Sequence, residues 1–143
     1  MQASNEEIVA GALWETPTVS FDTRAYPLVV VRYRGSVTEW DFERHLRVCS
    51  SAMRLGPKIA LVLDTSDGAT RSPRSIGLLR EWLQQERATI EARLAGIAFV
   101  IPHAAVRFLL SSLLVLDVMY EHEVFDHYAP ALKWARDKLS VAA

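Results

Sequence analysis

Residues 59–63 read IALVL and end at Asp64. A strand with one wet face alternates apolar and polar residues, whereas a strand covered on both sides does not. This run therefore demands a layer of structure above and below it, and an α/β sheet supplies both. Residues 97–101 (IAFVI) repeat the demand, and residues 28–33 (LVVVRY) form a β-branched-rich run that reads as a third central strand. A chain of 143 residues suits one domain with a sizeable core.

The remaining pattern fits around these runs. Residues 18–23 (TVSFDT) alternate like a half-buried strand, and the turn residues Ala25, Tyr26 and Pro27 join them to 28–33 as a hairpin. Gly35 breaks the second strand. Thr38 then caps a helix, with Asp41 at the third position of a capping box. Phe42, Leu46, Cys49 and Met53 recur on one face of that helix, which places Cys49 in the core. Gly56 and Pro57 stop it. Ser72 and Pro73 open a second helix, expected over 73–93, with Ile76, Leu79, Leu83, Ile90 and Leu94 inward. A third is expected over 103–114, a late strand over 120–125, and a last helix over 128–139 with Tyr128, Leu132, Ala135 and Leu139 along one side. The order β-β-α-β-α-β-α-β-α predicts an α/β fold: a mixed, mostly parallel sheet with an N-terminal β-hairpin and four helices. Residues 1–17 read as an N-terminal extension and 18–143 as a single domain.

Composition removes several function classes. With 16 basic and 17 acidic residues the formal charge is -1, so no electrostatic footprint for nucleic acid exists. The four tryptophans, Trp14, Trp40, Trp82 and Trp134, are not interleaved with basic residues and read as structure. One cysteine permits no intramolecular disulfide. Apolar stretches are too short to span a bilayer, and residues 1–15 lack the apolar run of a signal peptide, so the expected compartment is the cytoplasm.

Phosphate loops, dinucleotide fingerprints, nucleophile elbows and zinc-ligand spacings are not found, so no cofactor or metal is expected. The cluster Glu121, His122, Glu123, Asp126 and His127 lies on an alternating strand, where Glu121 and Glu123 face away from His122. His103 follows a strand end, as Asp64 does, and an enzyme using this pair is a remote alternative. The segment 106–119 is apolar over more than one stripe. Phe108, Leu109, Leu113 and Leu116 are its candidate interface residues, for interior packing, a homodimer contact, or a small-molecule or lipid surface.

What remains is the polar junction after Asp64. It carries Asp67, Arg71 and Arg74 together with the hydroxyls of Thr65, Ser66, Thr70, Ser72 and Ser75. Three segments, VVVRYRGSVTEWDFERHL, KIALVLDTSDG and EVFDHYAPALKWARDKL, together with the order of elements, resemble the STAS-like domains of the anti-sigma-factor antagonist superfamily, in the SpoIIAA-like branch. The resemblance covers roughly residues 19–139. It implies a non-enzymatic regulatory domain with a protein partner, and a serine at the helix start after the aspartate-ended strand that a partner kinase phosphorylates. Ser72 and Ser75 are the hydroxyls at that place; the local sequence is RSPRSIG, with Arg74 where a family serine stands. Asp64, Asp67, Arg71 and Arg74 are accordingly the candidate partner-binding residues.

Overall fold

A computed structural model describes residues 11–56, 58–70, 74–104 and 121–142. Among them are the strands β1 (Leu13–Glu15), β2 (Val19–Asp22), β3 (Leu28–Val37), β4 (Ile59–Thr70), β5 (Leu94–Val100) and β6 (His122–Phe125). The described helices are α1 (Glu39–Met53), α2 (Arg74–Gln85), α3 (Arg87–Arg93) and α4 (Tyr128–Ala142). One sheet holds the strands in the order β1-β2-β3-β4-β5-β6. The pairs β1/β2 and β2/β3 are antiparallel, and the pairings from β3 to β6 are parallel.

The unbroken apolar runs are explained by two cores, one on each face of the sheet. Val29, Val31, Tyr33, Leu61, Ile97 and Phe99 point to the face covered by α1, α2 and α3, where Phe42, Leu46, Cys49, Met53, Trp82, Leu83 and Ile90 meet them. Leu28, Val30, Ala60, Val62, Ala98 and Val100 point the other way, against Ala131 and Ala135 of α4. Full burial of a Val, Ile or Phe side chain stabilises the fold by about 1.5–3 kcal/mol. A polar residue substituted anywhere in these runs therefore faces a core, whichever way it points.

At Gly96 the side chains of α4 lie close against the sheet. A Cβ there would lie 2.8 Å from Trp134 Cη2 and 3.0 Å from its Cζ3. Trp134 is itself held edge-on against Phe125, with ring centroids 6.2 Å apart. Gly96→Ala is thus expected to cost about 1–3 kcal/mol, as overpacking does. A chemical-denaturation midpoint unchanged from wild type would show that the indole moves aside freely.

The structure departs from the pattern-based reading in four places. The sheet starts at Leu13, inside the segment read as an N-terminal extension, because β1 adds to β2 through the pair Trp14↔Phe21. β4 does not stop at Asp64 but continues to Thr70, pairing with β3 as far as Val37↔Thr70. The helix expected over 73–93 is two helices. Between them Glu86 has φ -96° and ψ 13°, away from helical geometry, and its carboxylate accepts Arg54 Nη2 at 2.7 Å. The capping box is only half formed. Thr38 accepts the Asp41 N–H at 3.1 Å, but the Asp41 carboxylate turns to the Thr18 hydroxyl at 2.6 Å, tying α1 to the entry of β2.

Candidate functional site at the carboxyl end of the sheet

Asp64 lies where β3, β4 and β5 stop pairing as a simple parallel sheet. Register runs from Arg32↔Asp64 to Arg34↔Asp67, so β4 carries one more residue than β3 across this step and bulges. The Asp64 carboxylate accepts the Ser66 N–H at 2.9 Å and the Ser66 hydroxyl at 2.6 Å, which closes the bulge from within. Its other oxygen lies 3.6 Å from Arg32 Nε, and the Arg32 guanidinium stacks 4.8 Å from the Tyr128 ring centre at the start of α4. Thr65 donates its hydroxyl to the Val100 carbonyl at 2.7 Å, tying the end of β5 to the bulge. Asp64 is 8% exposed, and both of its oxygens are occupied. Its evident role is to shape the rim on which other groups are displayed.

Those groups sit further along. Asp67 is exposed and in register with Arg34, which pairs with Glu15 at 3.2 Å and donates to the Thr16 carbonyl at 3.2 Å. Arg74, in the first turn of α2, pairs with Glu39 of α1 at 3.3 Å. That pair is solvent-facing and worth at most about 1 kcal/mol to stability. It does bring the two helix starts together at the rim. Ser75 is 1% exposed, so a kinase reaches its hydroxyl only if the start of α2 opens. Arg71 and Ser72 lie outside the described residues, as do Phe108, Leu109, Leu113 and Leu116.

Trp40, placed in the first turn of its helix and read as structural, stands largely in solvent. It is 66% exposed in the first turn of α1, next in sequence to Glu39. The signal was present, because two helical positions from the inward Phe42 correspond to a rotation of about 200°. Trp14 does pack as structure, under Arg44 at 5.4 Å. His103 is exposed, whereas Asp64 is committed to Ser66 and Arg32. His127 is exposed beside Asp126 at 4.0 Å, and no three His, Cys, Asp or Glu side chains among the described residues are grouped to hold a metal.

Behind the rim, between α1, α2 and the sheet, lies an apolar cavity of about 30 Å³ lined by Val31, His45, Leu46, Cys49, Leu61, Leu63, Leu79, Trp82, Ile97 and Phe99. His45 meets Tyr33 and Phe42 edge-on, at 5.4 and 4.9 Å between ring centres. Its Nδ1 and the Tyr33 hydroxyl are buried without a hydrogen-bond partner. Burial lowers the His45 pKa to about 4, the Phe42 backbone opposing it weakly, and raises that of the Cys49 thiol, which is therefore inert rather than redox-active.

A parallel sheet edged by an antiparallel hairpin, with helices on both faces and a central strand that bulges at an aspartate before a helix start, is an α/β fold of the SpoIIAA-like class. The chain is similar to an uncharacterized protein from the DUF3478 family with a SpoIIAA-like fold, from Shewanella loihica PV-4, known from a crystal structure at 2.25 Å resolution. The likeness has a TM-score of 0.58, covers 87% of this chain and 90% of that one, and comes with 13% sequence identity. No family model matches the sequence, and the search of curated proteins gives no significant match. Among the described residues, no helix is long and apolar enough to cross a membrane.

Proposed function

We propose that this chain is a non-enzymatic regulatory or scaffold domain that binds a protein partner through the rim spanning residues 64–75 and the neighbouring start of α1. The observation that carries the reading is Trp40. A tryptophan 66% exposed, next in sequence to Glu39 of the Glu39–Arg74 pair, is a large apolar anchor of the residue type enriched in interface hot spots. Asp67 and Arg74 extend the same rim, and the bulge at Asp64 holds it in shape. The inherited phosphoswitch, if used at Ser75, would act by freeing the first turn of α2, since added charge cannot be accommodated at so buried a hydroxyl.

Trp40→Ala is expected to leave stability within about 0.5 kcal/mol, because the side chain touches little, and to weaken partner binding by about 2 kcal/mol, roughly thirtyfold. Thermal unfolding checks the first expectation. Quantitative recovery of partners from a native lysate, wild type against Trp40→Ala and Arg74→Ala, checks the second. An identical set of partners in equal amounts from all three proteins removes this surface. The alternative of a small-molecule or lipid-binding domain rests on residues 106–119, which lie outside the described residues.

A further inference from the structure

His45 and Cys49 stand one helical turn apart on α1, so they project from the same face with Cβ atoms about 5–6 Å apart. Both line the cavity between α1, α2 and the sheet, and they are 3% and 4% exposed. The imidazole Nδ1 is buried without a hydrogen-bond partner, and the Phe42 backbone, which acts weakly on the ring, does not supply one. The Tyr33 hydroxyl is buried in the same condition, and Tyr33 senses the charge of Cys49, so the phenol lies near the sulfur. Trp82, the other polar group in the wall, already gives its indole N–H to Ser50 at 2.8 Å. About 30 Å³ has room for one water or one bare ion. A water needs about two to four polar partners, and a thiol is a poor one. A free imidazole nitrogen and a thiol facing one void are instead the donors a soft metal ion takes.

We propose that His45 Nδ1 and Cys49 Sγ bind one soft monovalent cation, copper(I), in two-coordinate geometry across this cavity. Metal–nitrogen and metal–sulfur bonds of about 2.0 and 2.3 Å set the two donors roughly 4 Å apart, within reach of neighbours on one helix face. Charge balance selects the ion. Copper(I) takes the place of the thiol proton, which leaves to solvent, and no electron is transferred. The product, sulfur–copper–imidazole, is neutral, as a wall without charged side chains among the described residues requires. Zinc(II) would leave one positive charge uncompensated there. It also asks for four ligands, and no three His, Cys, Asp or Glu side chains among the described residues are grouped to hold a metal. Burial keeps the Cys49 thiol protonated and inert to oxidants, and a thiophilic ion overcomes this by deprotonating the thiol as it binds. The site stands independently of the partner surface at the rim.

The test is anaerobic titration of the full chain with copper(I) against a chromogenic chelator, on the native protein and after refolding from urea with the ion present. One ion per chain is expected, with ultraviolet thiolate-to-copper charge transfer and a raised urea midpoint. Cys49→Ser is expected to lose both the absorption and the binding. His45→Leu is expected to bind at least about a hundredfold more weakly, the upper end of what losing a ligand's outer partner costs. Silver(I), a closed-shell probe, is expected to shift the His45 Nδ1 resonance of the isotope-labelled chain. If either variant fails to fold, that resonance on the wild-type chain decides. Copper(I) held equally by Cys49→Ser would belong to exposed histidines such as His103 and His127 and would overturn the proposal. Undiminished affinity in His45→Leu, one ion bridging Cys49 of two chains, or no uptake by either route would overturn it too. Zinc(II) bound as tightly as copper(I) would overturn the choice of a monovalent ion.

Discussion

The unfolding free energy is expected to fall by roughly 3 kcal/mol as pH drops from 6.5 to about 4, through the imidazole of His45 alone. Above 6.5 the group is neutral in both the folded and the unfolded chain, and the full stability is present. Below 6.5 the unfolded chain takes up a proton that the folded chain refuses until about 4, so each pH unit costs about 1.4 kcal/mol. Among the described residues no charged side chain lines the cavity beside the ring to offset this. The cavity wall around it is otherwise apolar apart from Cys49 and Trp82, and the adjoining Tyr33 is, like Cys49, kept neutral by burial. Asp22, whose carboxyl Arg24 holds below its ordinary 3.8, loses its contribution at lower pH, outside this window. His45→Leu is expected to abolish the slope and to be at least as stable as wild type near neutrality, since it removes a buried nitrogen with no partner. Urea unfolding at several pH values between 7.5 and 4.5 reads both. Parallel slopes for wild type and His45→Leu would sink the prediction.

Gly68→Ala should be about as damaging, at about 2–4 kcal/mol. A Cβ at Gly68 would lie 2.5 Å from the Arg34 carbonyl carbon and the Gly35 nitrogen, and 2.6 Å from the Gly35 oxygen. Every one of these is a backbone atom, so no side chain can rotate away; β3 and β4 must separate beyond the bulge and lose ladder bonds. Gly35 itself sits at φ +63°, where other residues are strained, so the ribbon has little freedom to adjust. Gly77, in α2, is the matched control. A Cβ there meets nothing within 4 Å, and Gly77→Ala is expected to stabilise by about 0.5–1 kcal/mol. The two variants should move the denaturation midpoint in opposite directions; a common direction would show that the approach at Gly68 is not the cause.

Legibility in the sequence followed the strength of the local signal. The runs 28–33, 59–63 and 97–101 announce strands covered on both faces, and the four-three-four spacing of Phe42, Leu46, Cys49 and Met53 announces the inner stripe of α1. Thr38 marks the helix start unaided. The segment TSDGAT does not read as a strand at all, because Asp, Ser and Gly are poor strand formers. It is one because β3 runs alongside and the Asp64 carboxylate stitches Ser66 into a bulge. Glu86 likewise holds no helix-breaking signal; its break comes with an ion pair to Arg54, 32 positions away.

At the candidate site the same division holds. Asp64, Asp67 and Arg74 were candidates from the sequence by their place around the end of a central run. The structure gives them different settings: Asp64 is buried against Ser66, whereas Asp67 is exposed and Arg74 pairs with Glu39 at the surface. The exposure of Trp40 was legible from helical phase, although its type had been read as structural. His45, by contrast, is polar and sits one step from the apolar stripe, so only packing could say that it is buried at 3% exposure.

Sequence alone thus determined the layers of this protein and the succession of its strands along the chain from β2 onward, because burial on two faces and chain connectivity are written in residue type and spacing. Tertiary structure alone decided where β4 ends and which carboxylate is inward. Those depend on residues brought together from distant parts of the chain, and no local pattern encodes a partner that has yet to arrive in space.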